Sequence, residues 1–262
     1  MNLCHPDSYK SCSACCGVYN VVDGRREILN GSILERTKKF RNVAREVDAL
    51  IGFGDHVRGL HNLSPLDPEI HVCEYVGFVD GQNLTVGCML HPAAPENNGV
   101  DLRGLCYYGS AACKTFYCPA CEELSARILK IVRTLIGDWH LYGLIVTDVN
   151  YLMAVIDLIE LLIDAKLDLG TTLKPAPAMI LRGILAWKES WPYSKGSRIR
   201  RSGYYLKRQP MDQNENFLID VIIDSLCFSF DISGVSCDSV SFVRREIGAF
   251  IKAYHQANGT VN

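Results

Sequence analysis

The sequence predicts a helix-dominant α+β protein in which an irregular, cysteine-rich module packs on α-helices. Ten of the twelve cysteines lie between Cys4 and Cys121, and that part of the chain is rich in Gly, Pro, Asn and aromatic residues. This composition is typical of loops and short strands. Beyond Cys121, long apolar segments recur at helical spacing. We therefore expect a Cys-rich module over residues 1–121 and a mainly α-helical region over residues 122–262.

Helices are predicted where apolar residues recur every three or four positions. In the first part of the chain, "SILERTKKFRNVAREVDALIG" has this spacing, and Gly52 is expected to close the helix. In the second part, helices are predicted at about residues 122–136, 149–167, 177–187, 216–228 and 239–256. The last of these is expected to start with Asp238 as its N-cap and to end near Gly259.

The overall composition excludes several classes of protein. A chain of 262 residues with 48% hydrophobic content can build a core without covalent links. The net charge of −2 gives no general attraction to nucleic acid or to an anionic membrane. The most apolar stretch, which starts at Leu141, is interrupted by acidic residues, so no membrane span is expected.

The start of the chain also bears on the state of the cysteines. It lacks the basic start and the apolar run of a signal peptide, so we expect a cytoplasmic protein. Cysteines in that reducing compartment are more often metal ligands or redox groups than disulfides.

The cysteines of the first part fall into three clusters. The first is "KSCSACCGVYN", the second is "HVCEYVGFVDGQNLTVGCMLHP", and the third is "LCYYGSAACKTFYCPAC". Cys12 and Cys15 form one Cys-x-x-Cys pair, and Cys118 and Cys121 form another. Zinc and iron–sulfur sites both use such pairs, because a tight loop brings two soft thiolates to one point. Two pairs with further thiols between them indicate a metal site.

Cys15 and Cys16 are adjacent, which leaves two arrangements open. Neighbouring side chains of an extended backbone point to opposite faces. A helical or turn conformation could direct both thiols to one site. Alternatively, the two thiols serve two metal centres, one on either side of the chain.

The order of these clusters resembles the CxxCxxCC family of zinc- or iron-chelating proteins. The resemblance covers roughly Cys12 to Cys121 and follows Cys-x-x-Cys-Cys, "CEYVGF", "GCMLHP" and "CKTFYC". It implies metal binding and no particular reaction. The positions that match the family's chelating cysteines are Cys12, Cys15, Cys16, Cys73, Cys88, Cys113 and Cys118.

We add Cys121 to these ligands because it completes the second Cys-x-x-Cys pair. The sequence leaves open whether Cys4, Cys106 and His91 join the site, and Cys227 and Cys237 are expected to lie outside it. We expect "CSACC" to close against "CKTFYCPAC", with Cys73 and Cys88 completing the cage, since three local thiols cannot fill a tetrahedral site.

Three functions follow from these patterns. The leading hypothesis is metal binding, with zinc or iron as the cofactor and Arg103 or Lys114 offsetting the charge of the thiolates. One alternative is an iron–sulfur redox enzyme of unknown substrate, although the chain has no flavin, nicotinamide or radical-SAM motif. The other is a metal-stabilised nucleic-acid-binding protein, whose contact surface would be the basic segment "KGSRIRRSGYYLKR" from Lys195 to Arg208.

Overall fold

The structure, a computed structural model, describes residues 3–60, 65–207, 210, 212, 214–234 and 236–259. It confirms the predicted helix-dominant α+β class, because helices prevail and the one sheet of the described residues has two strands. The helices are α1 (Arg26–Arg41), α2 (Val47–Arg58), α3 (Gly109–Thr115), α4 (Ala120–Glu123), α5 (Ala126–Leu135), α6 (Trp139–Thr147), α7 (Val149–Ile163), α8 (Pro175–Leu185), α9 (Trp187–Ser190), α10 (Glu215–Phe230) and α11 (Cys237–Asn258); the strands are β1 (Val76–Phe78) and β2 (Val86–Cys88).

The chain forms two compact units. The first unit comprises Met1–Cys121 and Asp138–Gly143, and the second comprises Glu122–Gly137 and Leu144–Asn262. The residues of the first unit that follow the Cys-rich part bind back into it, since the Tyr19 hydroxyl donates to the carbonyl of His140 at 2.9 Å. All the cysteines of the three clusters belong to the first unit.

The single helix predicted to end at Gly52 is two helices in the structure. Arg45 lies at this break, where its guanidinium donates to the carbonyls of Phe40 and Val43 and lies 4.4 Å from the centre of the Phe40 ring. The Phe40 carbonyl also accepts the backbone N–H of Val43 at 3.0 Å, so these contacts together close the end of α1. Gly52 lies inside α2, which ends at Arg58, so its predicted role as a helix terminator is wrong.

Strands β1 and β2 form a short antiparallel hairpin whose turn is organised by Asp80. The register pairs Val76 with Cys88 and Phe78 with Val86. The Asp80 carboxylate accepts hydrogen bonds from the backbone N–H of Thr85 at 2.5 Å and from the Thr85 hydroxyl at 2.6 Å. One side chain therefore fixes the turn that aligns β2.

Replacing Asp80 with Asn is expected to weaken this turn in a pH-dependent way. Burial would raise the pKa of Asp80, but the hydrogen bonds from Thr85, Leu84 and Gln82 outweigh it and hold that pKa below its usual 3.8. A carboxyl group whose pKa is lower in the folded state than in the unfolded state stabilises the fold at pH values above the unfolded-state pKa. This stabilisation is lost as the pH falls through the folded-state pKa. We expect the variant to lose about 1 to 3 kcal/mol of unfolding free energy at pH 7.

The measurement is urea unfolding of both proteins between pH 7 and pH 3. The difference between their free energies of unfolding should be constant down to about pH 4, which is the pKa of Asp in the unfolded state. Below that pH the difference should become smaller. Asp220→Asn, on the exposed side of α10, is the control and should change stability by less than about 0.5 kcal/mol. A difference that does not depend on pH would contradict the assigned role of Asp80.

The core of the second unit is built around α7, which is buried on nearly all sides. Helix α10 packs against α7, and α11 packs against α8. The last predicted helix is present and ends at Gly259 as expected, with a φ of 72° that favours glycine. Its predicted N-cap is wrong, because Ser236 and not Asp238 caps α11, through a capping box with Ser239.

A buried ion pair lies in this core. The Lys188 ammonium donates to the Asp148 carboxylate at 2.6 Å, and both side chains are 0% exposed. Lys188 also donates to the Ser229 hydroxyl, and Asp148 caps α7 by accepting the N–H of Tyr151. The pair therefore joins α7, α9 and α10. None of the helices in the described residues has the length and apolarity that crossing a bilayer requires.

Candidate metal centre

The "CSACC" segment is held against strand β2 by two serines. The Ser11 hydroxyl donates to the carbonyl of Val86 at 2.7 Å and accepts its N–H at 2.6 Å, and the Ser13 hydroxyl donates to the same carbonyl. A 3-10 turn over Ala14–Cys16 follows. The turn ends at Gly17, whose N–H donates to the carbonyl of Ala14.

Gly17 brings the second cluster onto the end of this turn. Its φ is 75°, and a Cβ at this position would lie 2.2 Å from the carbonyl oxygen of His71. Only glycine combines this backbone conformation with so close an approach. The result is a backbone hydrogen bond in which the N–H of Cys73 donates to the carbonyl of Cys16 at 2.9 Å.

The hairpin pairs the segment that follows Cys73 with the end of β2 at Cys88. Cys73 precedes β1, and Cys88 ends β2 opposite Val76. The N–H of Met89 continues the pairing by donating to the carbonyl of Tyr75 at 2.8 Å. Two cysteines that are fifteen residues apart are therefore brought together by a two-stranded sheet.

Cys106 and Cys113 form a thiol pair around α3. A 3-10 turn over Arg103–Leu105 precedes Cys106, and Gly109 then starts the helix with a φ of 71°. The two sulfur atoms lie 3.2 Å apart, which is much longer than a disulfide bond of about 2.05 Å. Cys106, which the sequence left open, is therefore in contact with a predicted ligand.

Cys4, which was also left open, is in contact with the first cluster. The N–H of Cys12 donates to the carbonyl of Cys4 at 2.8 Å. In the third cluster, the N–H of Cys121 donates to the carbonyl of Cys118 at 2.8 Å, which is the tight turn expected of a Cys-x-x-Cys pair. The thiol of Cys4 experiences the charges of Cys15, Cys121 and Cys118.

Burial makes the thiols of Cys4 and Cys12 hard to ionise. It raises the pKa of Cys4 to about 12, and neighbouring thiolates add to the rise. Burial also raises the pKa of Cys12 well above its usual value, with further contributions from Cys4, Cys15 and Cys118. Both thiols are therefore neutral at pH 7 when no cation is bound nearby.

The thiols around the hairpin behave in the same way. Burial raises the pKa of Cys88 to about 11, and it raises that of Cys73 well above the usual value, with Cys88 as the next cause. Burial and the contact with Cys106 raise the pKa of Cys113 to about 12. Cys106 also contributes to the raised pKa of Cys88, and Arg103 opposes that rise.

Cys15 and Cys16 form a hydrogen-bonded pair of unequal thiols. The hydrogen bond between them lowers the pKa of Cys15 and raises that of Cys16. Cys16 also experiences the charges of Cys73 and Cys88. The adjacent cysteines therefore connect two neighbourhoods of thiols.

The thiols come close together without forming a closed ligand set. None of the twelve cysteines forms a disulfide. Within the part of the chain that the structure describes, no three His, Cys, Asp or Glu side chains are close enough to hold a metal ion as they stand. The closed cage between "CSACC" and "CKTFYCPAC" therefore stays a prediction.

Two arginines supply positive charge beside the thiols, and the sequence pointed to one of them. Arg103 pairs with Asp101 at 2.8 Å and donates to the carbonyl of Cys113 at 3.2 Å. Arg36 was interpreted only as part of a helix, yet its guanidinium is buried and donates to the carbonyl of Cys73 at 3.1 Å. Burial lowers the pKa of Arg36 to about 10. Negatively charged thiolates nearby would offset the free-energy cost of burying this guanidinium.

Glu74 is a supporting residue that sequence reasoning missed. Its carboxylate is fully buried, accepts a hydrogen bond from Arg58 at 2.7 Å and contacts the His71 ring at 3.2 Å. The His71 ring stacks on Tyr107 at 4.3 Å. This network fixes the backbone on both sides of Cys73. A glutamate beside a cysteine was the available signal, but its charged partner Arg58 lies in α2.

The remaining candidates contribute less to the cluster. Nδ1 of His91 accepts the N–H of Ala93 at 3.0 Å, so this nitrogen serves the turn at Pro92. Lys114, which was expected to offset thiolate charge, pairs with Asp101 at 2.9 Å. Cys227 and Cys237 belong to the second unit, outside the cluster of the first unit.

The basic segment from Lys195 to Arg208 uses its arginines for internal contacts. Arg200 is buried, donates to the carbonyls of Glu189 and Ser197 and lies 4.3 Å from the centre of the Phe230 ring. Arg201 pairs with Asp231 at 3.0 Å. Arg208 lies outside the described residues. These contacts stabilise the fold and leave fewer charges for phosphate groups.

Comparison of the chain with protein-family models, with curated proteins and with solved structures finds no match. The ten cysteines of the three sequence clusters and Cys4 all belong to the first unit.

Proposed function

We propose that this chain is a metal-binding protein whose Cys-rich unit holds zinc or iron through thiolates. The observation that carries the proposal is that ten cysteines from distant parts of the sequence lie in one unit, where the sulfur atoms of Cys106 and Cys113 are 3.2 Å apart. Thiolate ligation is a function that uses many such thiols together.

The raised pKa values are consistent with this proposal. In a folded unit without a cation, burial keeps the thiols of Cys12, Cys73 and Cys88 protonated. A bound cation replaces those protons and stabilises the thiolates, which burial alone disfavours. Metal binding is therefore coupled to folding. Arg36 and Arg103 lie where they can offset the excess negative charge of four thiolates on a divalent ion.

The donor set fits both zinc and iron, because four thiolates satisfy either a zinc ion or an iron–sulfur cluster. We propose a cytoplasmic location, because thiolate ligation requires thiols that stay reduced. The same ligands would serve a redox enzyme if they hold a cluster. We favour metal binding because it requires only the thiols themselves, whereas a redox reaction also requires a substrate and an electron partner.

The test is elemental analysis of the full chain purified under anaerobic conditions. We expect at least one zinc or iron per chain, and the same content in the control variant Cys227→Ser, whose thiol lies in the second unit. A brown protein that bleaches with dithionite would identify an iron–sulfur cluster, and a colourless, zinc-loaded protein would exclude one. Less than about half a metal ion per chain would refute the proposal.

A further inference from the structure

We propose that a cavity alongside α1 binds a small aliphatic carboxylate, whose charged end pairs with Arg36 and whose hydrocarbon part lies against apolar side chains. The cavity belongs to the first unit and has a volume of about 260 Å³. A cavity of about 150 Å³ can hold benzene, and pockets for drug-sized ligands have roughly 300 to 1,000 Å³. The cavity therefore fits a small molecule. Its ligand is recognised by an arginine and by hydrocarbon, so the inference goes beyond the proposed metal binding.

Arg36 lines the cavity, and one corner of its guanidinium is already fixed by the protein. Its Nη1 donates to the carbonyls of Cys73 and Val76, each at 3.1 Å, and the residue is only 8% exposed. Within the described residues, Nε and Nη2 have no hydrogen-bond partner. These two nitrogens form the edge of a guanidinium that can donate to both oxygens of one carboxylate. A ligand in the cavity can therefore use an oriented, buried cation.

The protein's own carboxylates near Arg36 are engaged elsewhere. A buried charge without a counter-ion is costly in free energy, so Arg36 would gain from an anionic partner. The carboxylates that line the cavity or follow Cys73 are paired with other cations, in the pairs Asp23–Arg25, Glu35–Lys39 and Glu74–Arg58. Glu27 also lines the cavity, but it is exposed, so water and salt screen its repulsion of an anion.

The rest of the cavity offers mainly hydrocarbon. Leu29 and Ile33 of α1 lie on its inner side, where both are buried. Ile28 lines it as well and is 47% exposed. The remaining apolar lining residues are Val18, Val21, Val72 and Val76. A ligand with a branched hydrocarbon part would remove this apolar surface from water, which is favourable.

Gly31 leaves the mouth of the cavity open. It lies inside α1, lines the cavity and is exposed, and a Cβ at this position would meet no atom of the described residues within 4 Å. Glycine is among the least favourable residues inside a helix. Close packing does not require it here. Space for an entering ligand accounts for the missing side chain.

The first experiment is isothermal titration calorimetry of the full chain, as purified, with three probes. 4-Methylpentanoate has the charge and the branched hydrocarbon, 4-methylpentanamide has the same shape without the charge, and acetate has the charge alone. We expect 4-methylpentanoate to bind with a dissociation constant below about 1 mM. The amide and acetate should each bind at least about tenfold more weakly, because one loses the charged pair and the other the apolar contact.

The second experiment locates the site with variants of the lining residues. Arg36→Lys keeps the positive charge but loses the two-pronged edge, and should weaken 4-methylpentanoate binding at least about tenfold. Arg36 also holds two backbone carbonyls, so this variant could lose stability. Gly31→Leu avoids that difficulty, because it favours the helix while its side chain narrows the mouth. It should also weaken binding at least about tenfold and should unfold at no lower temperature than the unchanged chain.

The matched control is Gly52→Leu, an exposed helical position in α2 where a Cβ likewise meets no atom of the described residues within 4 Å. This variant should keep the affinity for 4-methylpentanoate. The proposal would be overturned by the absence of saturable binding at about 10 mM probe, by equal affinities for the acid and the amide, or by unchanged affinity in Gly31→Leu.

Discussion

Treatment with a chelator, which would remove the proposed metal, is expected to abolish hydrogen-exchange protection in the segments that carry the ten cysteines, while α7, α10 and α11 keep theirs. Structural zinc sites contribute apparent binding free energies of about 10 to 16 kcal/mol. Typical domains are stable by only about 5 to 15 kcal/mol in total. The first unit, whose short sheet has three residues in each strand, is therefore expected to depend on its metal.

Exchange followed by mass spectrometry resolves this effect along the chain. Peptides covering residues 3–20, 71–91 and 103–121 should exchange much faster after chelation, and adding Zn²⁺ back under reducing conditions should restore them. Peptides from α7 provide the internal control, because that helix is buried in the second unit. Equal exchange with and without metal would show that the first unit folds on its own core.

The sequence was sufficient for the fold class because helical periodicity is a local signal. Helix α7 and the end of α11 at Gly259 follow from apolar spacing and from a glycine that accepts a positive φ. Helix α6 was missed because its sequence, "WHLYGLIVT", is apolar without a polar face that would reveal its period. The break after α1 was missed because the apolar spacing continues across it, whereas the contacts of Arg45 at the break form only in the folded chain.

For the candidate site, too, the sequence predicts local features and misses contacts between distant residues. Cys-x-x-Cys spacing points to Cys12, Cys15, Cys118 and Cys121 because those pairs are local. The contact between Cys106 and Cys113 depends on the turn before α3, and the approach of Cys4 depends on a backbone hydrogen bond with no spacing rule. The buried guanidinium of Arg36 likewise looks like an ordinary helix residue until the fold places Cys73 beside it.

The second large effect is expected in the core of the second unit, where Lys188→Met should lower the free energy of unfolding by about 3 to 5 kcal/mol. The substitution keeps most of the side-chain volume but leaves the carboxylate of Asp148 buried without its counter-ion. Removing one partner of a buried ion pair costs this much because the remaining charge is poorly solvated. The Ser229 hydroxyl keeps a partner, since it donates to the carbonyl of Ser225 at 2.8 Å.

The double variant Lys188→Met, Asp148→Asn separates charge from packing. Asn keeps a side-chain oxygen that can accept the N–H of Tyr151, so the cap of α7 survives while the charge is removed. We expect the double variant to recover at least half of the stability lost in Lys188→Met, as measured by urea unfolding. Lys130→Met, on the exposed side of α5, should change stability by less than about 0.5 kcal/mol. The losses of unfolding free energy in Asp148→Asn and Lys188→Met could instead simply add in the double variant. The ion pair would then not be what holds α7, α9 and α10 together, and packing around these residues would account for the loss.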